Sequence, residues 1–131
     1  MITLKSSHEI QLMRQAGRIT AAARALAGAM VAPGVSTREI DKAVYRFITS
    51  QGAVPSFLHY NGYPASVCIS VNDEVIHGIP GHRVLREGDI VSVAVGAYKD
   101  GFHADCAATY PYGEISEEAM RLIALTWQSF F

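Results

Sequence analysis

The run from Ile90 to Tyr110, Ile-Val-Ser-Val-Ala-Val-Gly-Ala-Tyr-Lys-Asp-Gly-Phe-His-Ala-Asp-Cys-Ala-Ala-Thr-Tyr, constrains the fold more than any other part of the chain. β-Branched and aromatic residues fill both arms, and Lys99-Asp100-Gly101 separates them, so the run reads as a β-hairpin. With an even-numbered connection and no bulge, paired positions sum to an odd number. Ser92, Ala94 and Gly96 then share a face with His103, Asp105, Ala107 and Thr109. Val91, Val93, Val95, Phe102, Ala104, Cys106 and Tyr110 occupy the opposite face, which needs helices to cover it. The small, polar face carries one carboxylate, Asp105, at its middle. A covered carboxylate needs a cation or a hydrogen-bonding partner, so this face reads as half of a metal site. A dinuclear centre for hard or borderline divalent ions calls for a second carboxylate on the same face, and Ala94 holds the position that would supply it. On the residues alone, an Asp105 hydrogen-bonded to Thr109 or to a nearby backbone donor is the alternative.

Composition bounds the rest. At 131 residues, 50% hydrophobic and 18% charged with a net charge of −1, residues 1–131 read as one soluble globular domain able to bury a core. No basic patch suggests nucleic acid. The start, Met-Ile-Thr-Leu-Lys-Ser-Ser-His, has no apolar run behind a basic segment, and no stretch is long enough to span a bilayer. The expectation is a cytoplasmic chain with no membrane and no nucleic-acid partner. Cys68 and Cys106 fall on different expected strands without metal-type spacing, so reduced, buried thiols are expected rather than a disulfide.

Taken in order, Ser6 or Ser7 with Glu9 or Ile10 behind it resembles a helix start. Ile10, Met13, Gly17, Thr20, Ala21, Arg24 and Ala25 follow at helical spacing, in a long Ala-rich helix up to Met30. Ala32-Pro-Gly-Val35 breaks it. Ser36-Thr-Arg-Glu39 is a capping box opening a second helix through Ile48 or Thr49, with Ile40, Val44, Phe47 and Ile48 as its apolar face. Gly52 ends that helix, and Val54-Pro-Ser-Phe-Leu58 begins an extended region that turns at Asn61-Gly62. Residues 66–71 alternate as a strand does. The loop His77-Gly-Ile-Pro80 and a turn-rich link from Gly81 to Gly88 lead into the hairpin. Ser116-Glu-Glu118 then opens a last helix, with Met120, Ile123, Trp127 and Phe130 or Phe131 on one stripe.

Several of these segments, read together, resemble type I methionine aminopeptidases. They are Tyr60-Asn-Gly-Tyr-Pro-Ala-Ser-Val-Cys68, His77-Gly-Ile-Pro80, Glu87-Gly-Asp-Ile90, the strand ending in Val-Gly-Ala-Tyr, and Asp100-Gly-Phe-His-Ala-Asp105. The likeness covers nearly the whole chain but only the N-terminal half of such an enzyme. It implies an α+β fold, half of the pita-bread architecture, with two long helices on one face of an antiparallel sheet and a terminal helix. It also implies a role for His77, which matches a histidine that donates a hydrogen bond or proton near the scissile amide. Phe57, Tyr60, Tyr63 and Cys68 match positions lining the pocket for the methionine side chain. A surface-loop histidine and ordinary core packing are the corresponding alternatives. His59 and His103 read as structural.

The resemblance implies five metal-binding side chains in intact relatives. Asp105 matches one; Ala94 stands where a second is an Asp; a His and two Glu belong to the part that does not align. In intact relatives Co, Mn, Fe or Zn would activate a water and polarise the first peptide carbonyl of chains that start with Met. For this chain no bound metal is expected. Three readings follow: a working aminopeptidase completed by another chain, an inactive half that self-associates as a homodimer, and a module that binds methionine or a peptide.

Overall fold

The β-hairpin forms where its residues place it. In the computed structural model, which describes residues 2–130, Asp100 and Gly101 adopt φ of 49° and 89°, the two left-handed positions of a type I′ turn. Strand β3 (Ile90–Lys99) and strand β4 (Phe102–Pro111) pair on either side of it, from Ile90 with Pro111 to Lys99 with Phe102. The register puts Gly96 opposite Asp105, Ala94 opposite Ala107 and Ser92 opposite Thr109, so paired positions sum to an odd number, as the residues imply. Val91, Val93, Val95 and Ala97 are buried on the other face.

The sheet has four strands. On the side of β3 away from β4, β1 (Val54–Pro55) pairs with Tyr98 and Ala97, and β2 (Val67–Val71) pairs with residues 91–95, all antiparallel. The two long helices, α1 (Ser7–Ala29) and α2 (Thr37–Ser50), lie on the apolar face. Each opens with a capping box, Ser6 with Glu9 and Ser36 with Glu39, in which the serine hydroxyl takes the third amide and the glutamate reaches back. These reciprocal bonds hold both glutamates below the usual carboxylate range.

The buried stripe of α1 differs from the expected one. Ala16, Ile19, Thr20, Ala23 and Ala27 face the sheet, while Ile10 and Met13 are about two-fifths exposed and Ala21 and Ala25 are exposed. Small side chains win the inner face because they let the helix approach the sheet closely. Gly28 lies against the Tyr110 ring, and the Tyr110 hydroxyl donates to the Arg24 carbonyl at 3.1 Å. The Thr20 hydroxyl donates to Ala16 and reaches the Ala104 carbonyl at 3.4 Å. Helix α2 buries Ile40, Val44 and Ile48, as its pattern predicts.

Two further expectations need correction. Every residue of β2 is buried, where alternation was expected, because helices cover one face and the segment after it folds back along the other edge. The β4 half of the polar hairpin face is not covered: His103, Asp105 and Ala107 are exposed. The last helix, α3 (Glu117–Phe130), starts at Ser116, whose hydroxyl accepts from the Ala119 amide, but it buries no residue among those described. Met120 is 58% and Trp127 59% exposed on the expected stripe, and Leu122 and Leu125 beside it are also more than half exposed. Phe131 and Met1 lie outside the described residues.

Candidate functional site

On the open face of the sheet the strand registers line up side chains in rows. Cys68, Ala94 and Ala107 form one row across β2, β3 and β4, and Ser70, Ser92 and Thr109 form the next. Ser92 and Thr109 join hydroxyl to hydroxyl at 2.8 Å, which removes Thr109 as a partner for Asp105. The Asp105 carboxylate is exposed and makes no hydrogen bond or ion pair among the described residues, so water satisfies it.

A cavity of about 190 Å³ sits over these rows, lined chiefly by Cys68, Ser70, Val75, Ile76, His77 and Ala94. His77 and Cys68 are therefore brought together, with Ala94 in the floor. Burial first, and then the negative charge of Asp105, push the Cys68 thiol above its ordinary pKa, outweighing a hydrogen bond with Tyr63. Cys68 is thus a neutral, small apolar wall rather than a nucleophile at neutral pH. Cys68 and Cys106 are both free.

The other candidate pocket residues take different places. The Phe57 ring lies over Gly96, where a Cβ would come within 2.7 Å of it, so the glycine opposite Asp105 makes room for the ring. Tyr63 does not line the cavity; its hydroxyl reaches the Val67 carbonyl at 2.9 Å and the Gly78 carbonyl at 3.0 Å. Tyr60 is 70% exposed on a 3₁₀ turn at 60–62 and does not line this cavity. His103 has structural contacts: its Nδ1 lies 2.9 Å from the Ser56 hydroxyl, and its ring stacks at a tilt on Tyr98 with centroids 4.5 Å apart.

Residues that the sequence reading did not single out hold this arrangement. Asp41 on α2 accepts from the Ser66 and Val67 amides at 2.7 and 3.2 Å, fixing the start of β2. Ser70, itself 5% exposed, accepts from the Gly78 amide at 3.0 Å. The only sequence signal for the second bond is a glycine directly after His77, and no spacing links it to Tyr63.

A dinuclear metal centre does not fit the residues present. Among the described residues no three His, Cys, Asp or Glu side chains lie together, and the neighbour of Asp105 across the strands is Gly96, with Ala94 one row away. One exposed carboxylate cannot by itself hold a divalent ion against water. A larger groove of about 320 Å³ runs between Pro111, Ile115 and α3, but it is apolar and carries no ionisable side chain for chemistry.

Comparison with known proteins places the arrangement in context. Methionine aminopeptidase 1 of Bacillus subtilis (strain 168) is 47% identical over 131 residues, covering 100% of this chain and 53% of the relative. Methionine aminopeptidase of Clostridium perfringens is 51% identical with the same coverage. Among solved structures, methionine aminopeptidase from Rickettsia prowazekii superposes with a TM-score of 0.94 at 35% identity, covering 98% of this chain and 52% of that one. Xaa-Pro dipeptidase from Bacillus anthracis superposes with a TM-score of 0.77 at 27% identity, covering 90% of this chain and 32% of that one. The chain therefore spans about half the length of the curated relatives it matches, and its α+β fold is half of their pita-bread architecture. The model of Metallopeptidase family M24, whose members use divalent metals, matches residues 11–130. With the histidine loop and the Asp105 strand both inside that match, the chain belongs to metallopeptidase family M24.

Proposed function

We propose that this chain carries the substrate-facing half of a methionine-aminopeptidase-type site and turns over no peptide by itself. His77 at the rim of the cavity is the group that would hydrogen-bond the first peptide amide, its ring nitrogens being able to donate or accept. Cys68 and the Phe57 ring offer apolar contacts for a short side chain such as methionine. The observation that carries the inactive half of the reading is Ala94: with alanine in that row, Asp105 has no second carboxylate to share an ion with. Hydrolysis of a Met-Ala peptide, measured beside elemental analysis after dialysis, tests it. The expected result is no turnover and less than one equivalent of Co, Mn, Fe or Zn; turnover with one or two retained equivalents would overturn it.

Self-association belongs to the same proposal. The open hairpin face and the apolar residues of α3 that face water, Met120, Leu122 and Leu125, form a surface suited to a second copy of this chain, giving a homodimer. A cytoplasmic setting goes with the two free thiols. The cavity also favours a second reading, a module that binds methionine or a peptide that begins with it, without hydrolysis.

A further inference from the structure

We propose that Tyr63 is the positioning residue of the His77 loop, which its hydroxyl latches at Gly78. The inference rests on the reading of His77 as the functional group and says what sets its place.

Beyond Pro80 the chain is tied to α2, where Gly81 exchanges bonds with the Thr37 hydroxyl and accepts from the Arg38 amide, but nearer His77 the anchors are few. Val75, Ile76 and Ile79 around His77 are 88%, 67% and 62% exposed, so apolar burial does not anchor them. The His77 imidazole makes no hydrogen bond among the described residues, and its orientation must come from its backbone. That backbone is in the left-handed region, with φ of 57°, which a non-glycine residue keeps only when its surroundings over-determine it. The over-determination falls on the next residue. The Gly78 amide donates to the Ser70 hydroxyl, and its carbonyl accepts from the Ile69 amide at 2.9 Å and from the Tyr63 hydroxyl at 3.0 Å. A Cβ at Gly78 would run into the Ile69 carbonyl oxygen, so only glycine lets the loop lie this close to β2.

Of these three bonds, two come from β2 itself. Among the described residues, the Tyr63 bond is what ties the loop to the separate segment that also carries Phe57, since Tyr63 itself lies on that segment. Burial, above all, pushes the phenol above its ordinary pKa, so Tyr63 remains a neutral donor through the physiological range. The latch therefore couples the pocket segment to the histidine and fixes the distance between them.

The test uses the full chain, isotopically labelled, in solution NMR. In Tyr63→Phe, the Gly78 and Ile69 amides should exchange at least tenfold faster and the His77 ring resonances should shift, while Val44 and Ile48 in α2 keep their protection. Ser70→Ala, which opens the amide side of Gly78, should give the same loop-confined pattern. Unchanged His77 and Gly78 signals in Tyr63→Phe would overturn the proposal. So would a loss of protection spread evenly through α2 and β3, which would make the hydroxyl a general prop of the fold. If Tyr63→Phe does not fold, the wild type decides: a slowly exchanging Tyr63 phenolic proton with cross-peaks to Gly78 supports the latch, and one lost to water overturns it. Titration with L-methionine probes the functional reading separately, since a latched loop that ignores methionine refutes that reading and leaves the latch standing.

Discussion

Gly28 and Gly17 sit on the same helix and should answer the same substitution with opposite signs. At Gly28 an added Cβ would collide with the Tyr110 ring, whose hydroxyl is already committed to the Arg24 carbonyl. Gly28→Ala should cost about 1–3 kcal/mol, the usual penalty for overpacking a tight contact. At Gly17 nothing lies within 4 Å, so Gly17→Ala should stabilise by about 0.5–1 kcal/mol through helix propensity and unfolded-state entropy. Urea unfolding of the two variants checks both. A loss in each would mean that the helix approaches the sheet more closely at Gly17 than the geometry indicates. At the same scale, the sequence made Asp105 and Ala94 legible on one face because strand pairing is a counting rule, whereas Cys68 came near them only through the family resemblance. It did not make Tyr63 legible as a latch, because the bond to Gly78 depends on how two irregular segments meet, and no period encodes that.

The elements differ in how far their own residues specify them. Both capping boxes and the Asp100-Gly101 turn are local chemistry, so helix starts and the hairpin turn were readable from a few adjacent side chains. The stripe of α1 was not, because large apolar residues near its start suggested a face that close packing reserves for alanine. The link before the hairpin offers a pH test. Asp89 accepts from the Arg86 amide at 2.9 Å and from the Asn72 side chain at 2.8 Å. Burial opposes its ionisation most strongly, but these bonds, with Arg83 and Arg86 nearby, together outweigh burial and hold it below the usual 3.8. A carboxyl whose folded pKa is depressed adds stability that is fully present above its unfolded value and is lost as pH falls through the folded value. Asp89→Ala should therefore cost about 1–3 kcal/mol at pH 7, with the difference from wild type shrinking below pH 3.8. Asp41 runs the other way: desolvation raises its pKa despite the Ser66 and Val67 amides, so its ionisation weakens the fold as pH rises past 3.8. Melting curves of both alanine variants between pH 3 and 7 separate the two; a pH-independent difference for Asp89→Ala would remove the carboxylate from the account.

At the scale of the molecule, the hairpin's apolar face called for a covering layer, and the family resemblance made the fold class readable as a helix-backed sheet. What covers the other face was not, since the expectation of a buried carboxylate took a closed site for granted and the described residues leave it open. The homodimer reading puts a second copy there. Sedimentation at micromolar concentration should give twice the monomer mass, and Leu125→Glu or Ala94→Arg should return it to monomer. A clean monomer in the wild type, or a dimer indifferent to both changes, would show that this surface mediates no assembly.

The bonds from α1 to β4 also bear on the order in which the chain can acquire its structure during synthesis. Thr20 and Ala104 are 84 residues apart, and Arg24 and Tyr110 are 86 apart. The first helix leaves the ribosome early, yet the strand it must dock against is among the later parts of this chain to emerge. Until then α1 has mainly α2 to pack against, and closing the long loop to the hairpin has to precede the gain from docking on the sheet. A nascent chain arrested before Tyr110 should therefore hold α1 undocked from the sheet and protease-sensitive, and folding should become productive only once the hairpin has cleared the exit tunnel.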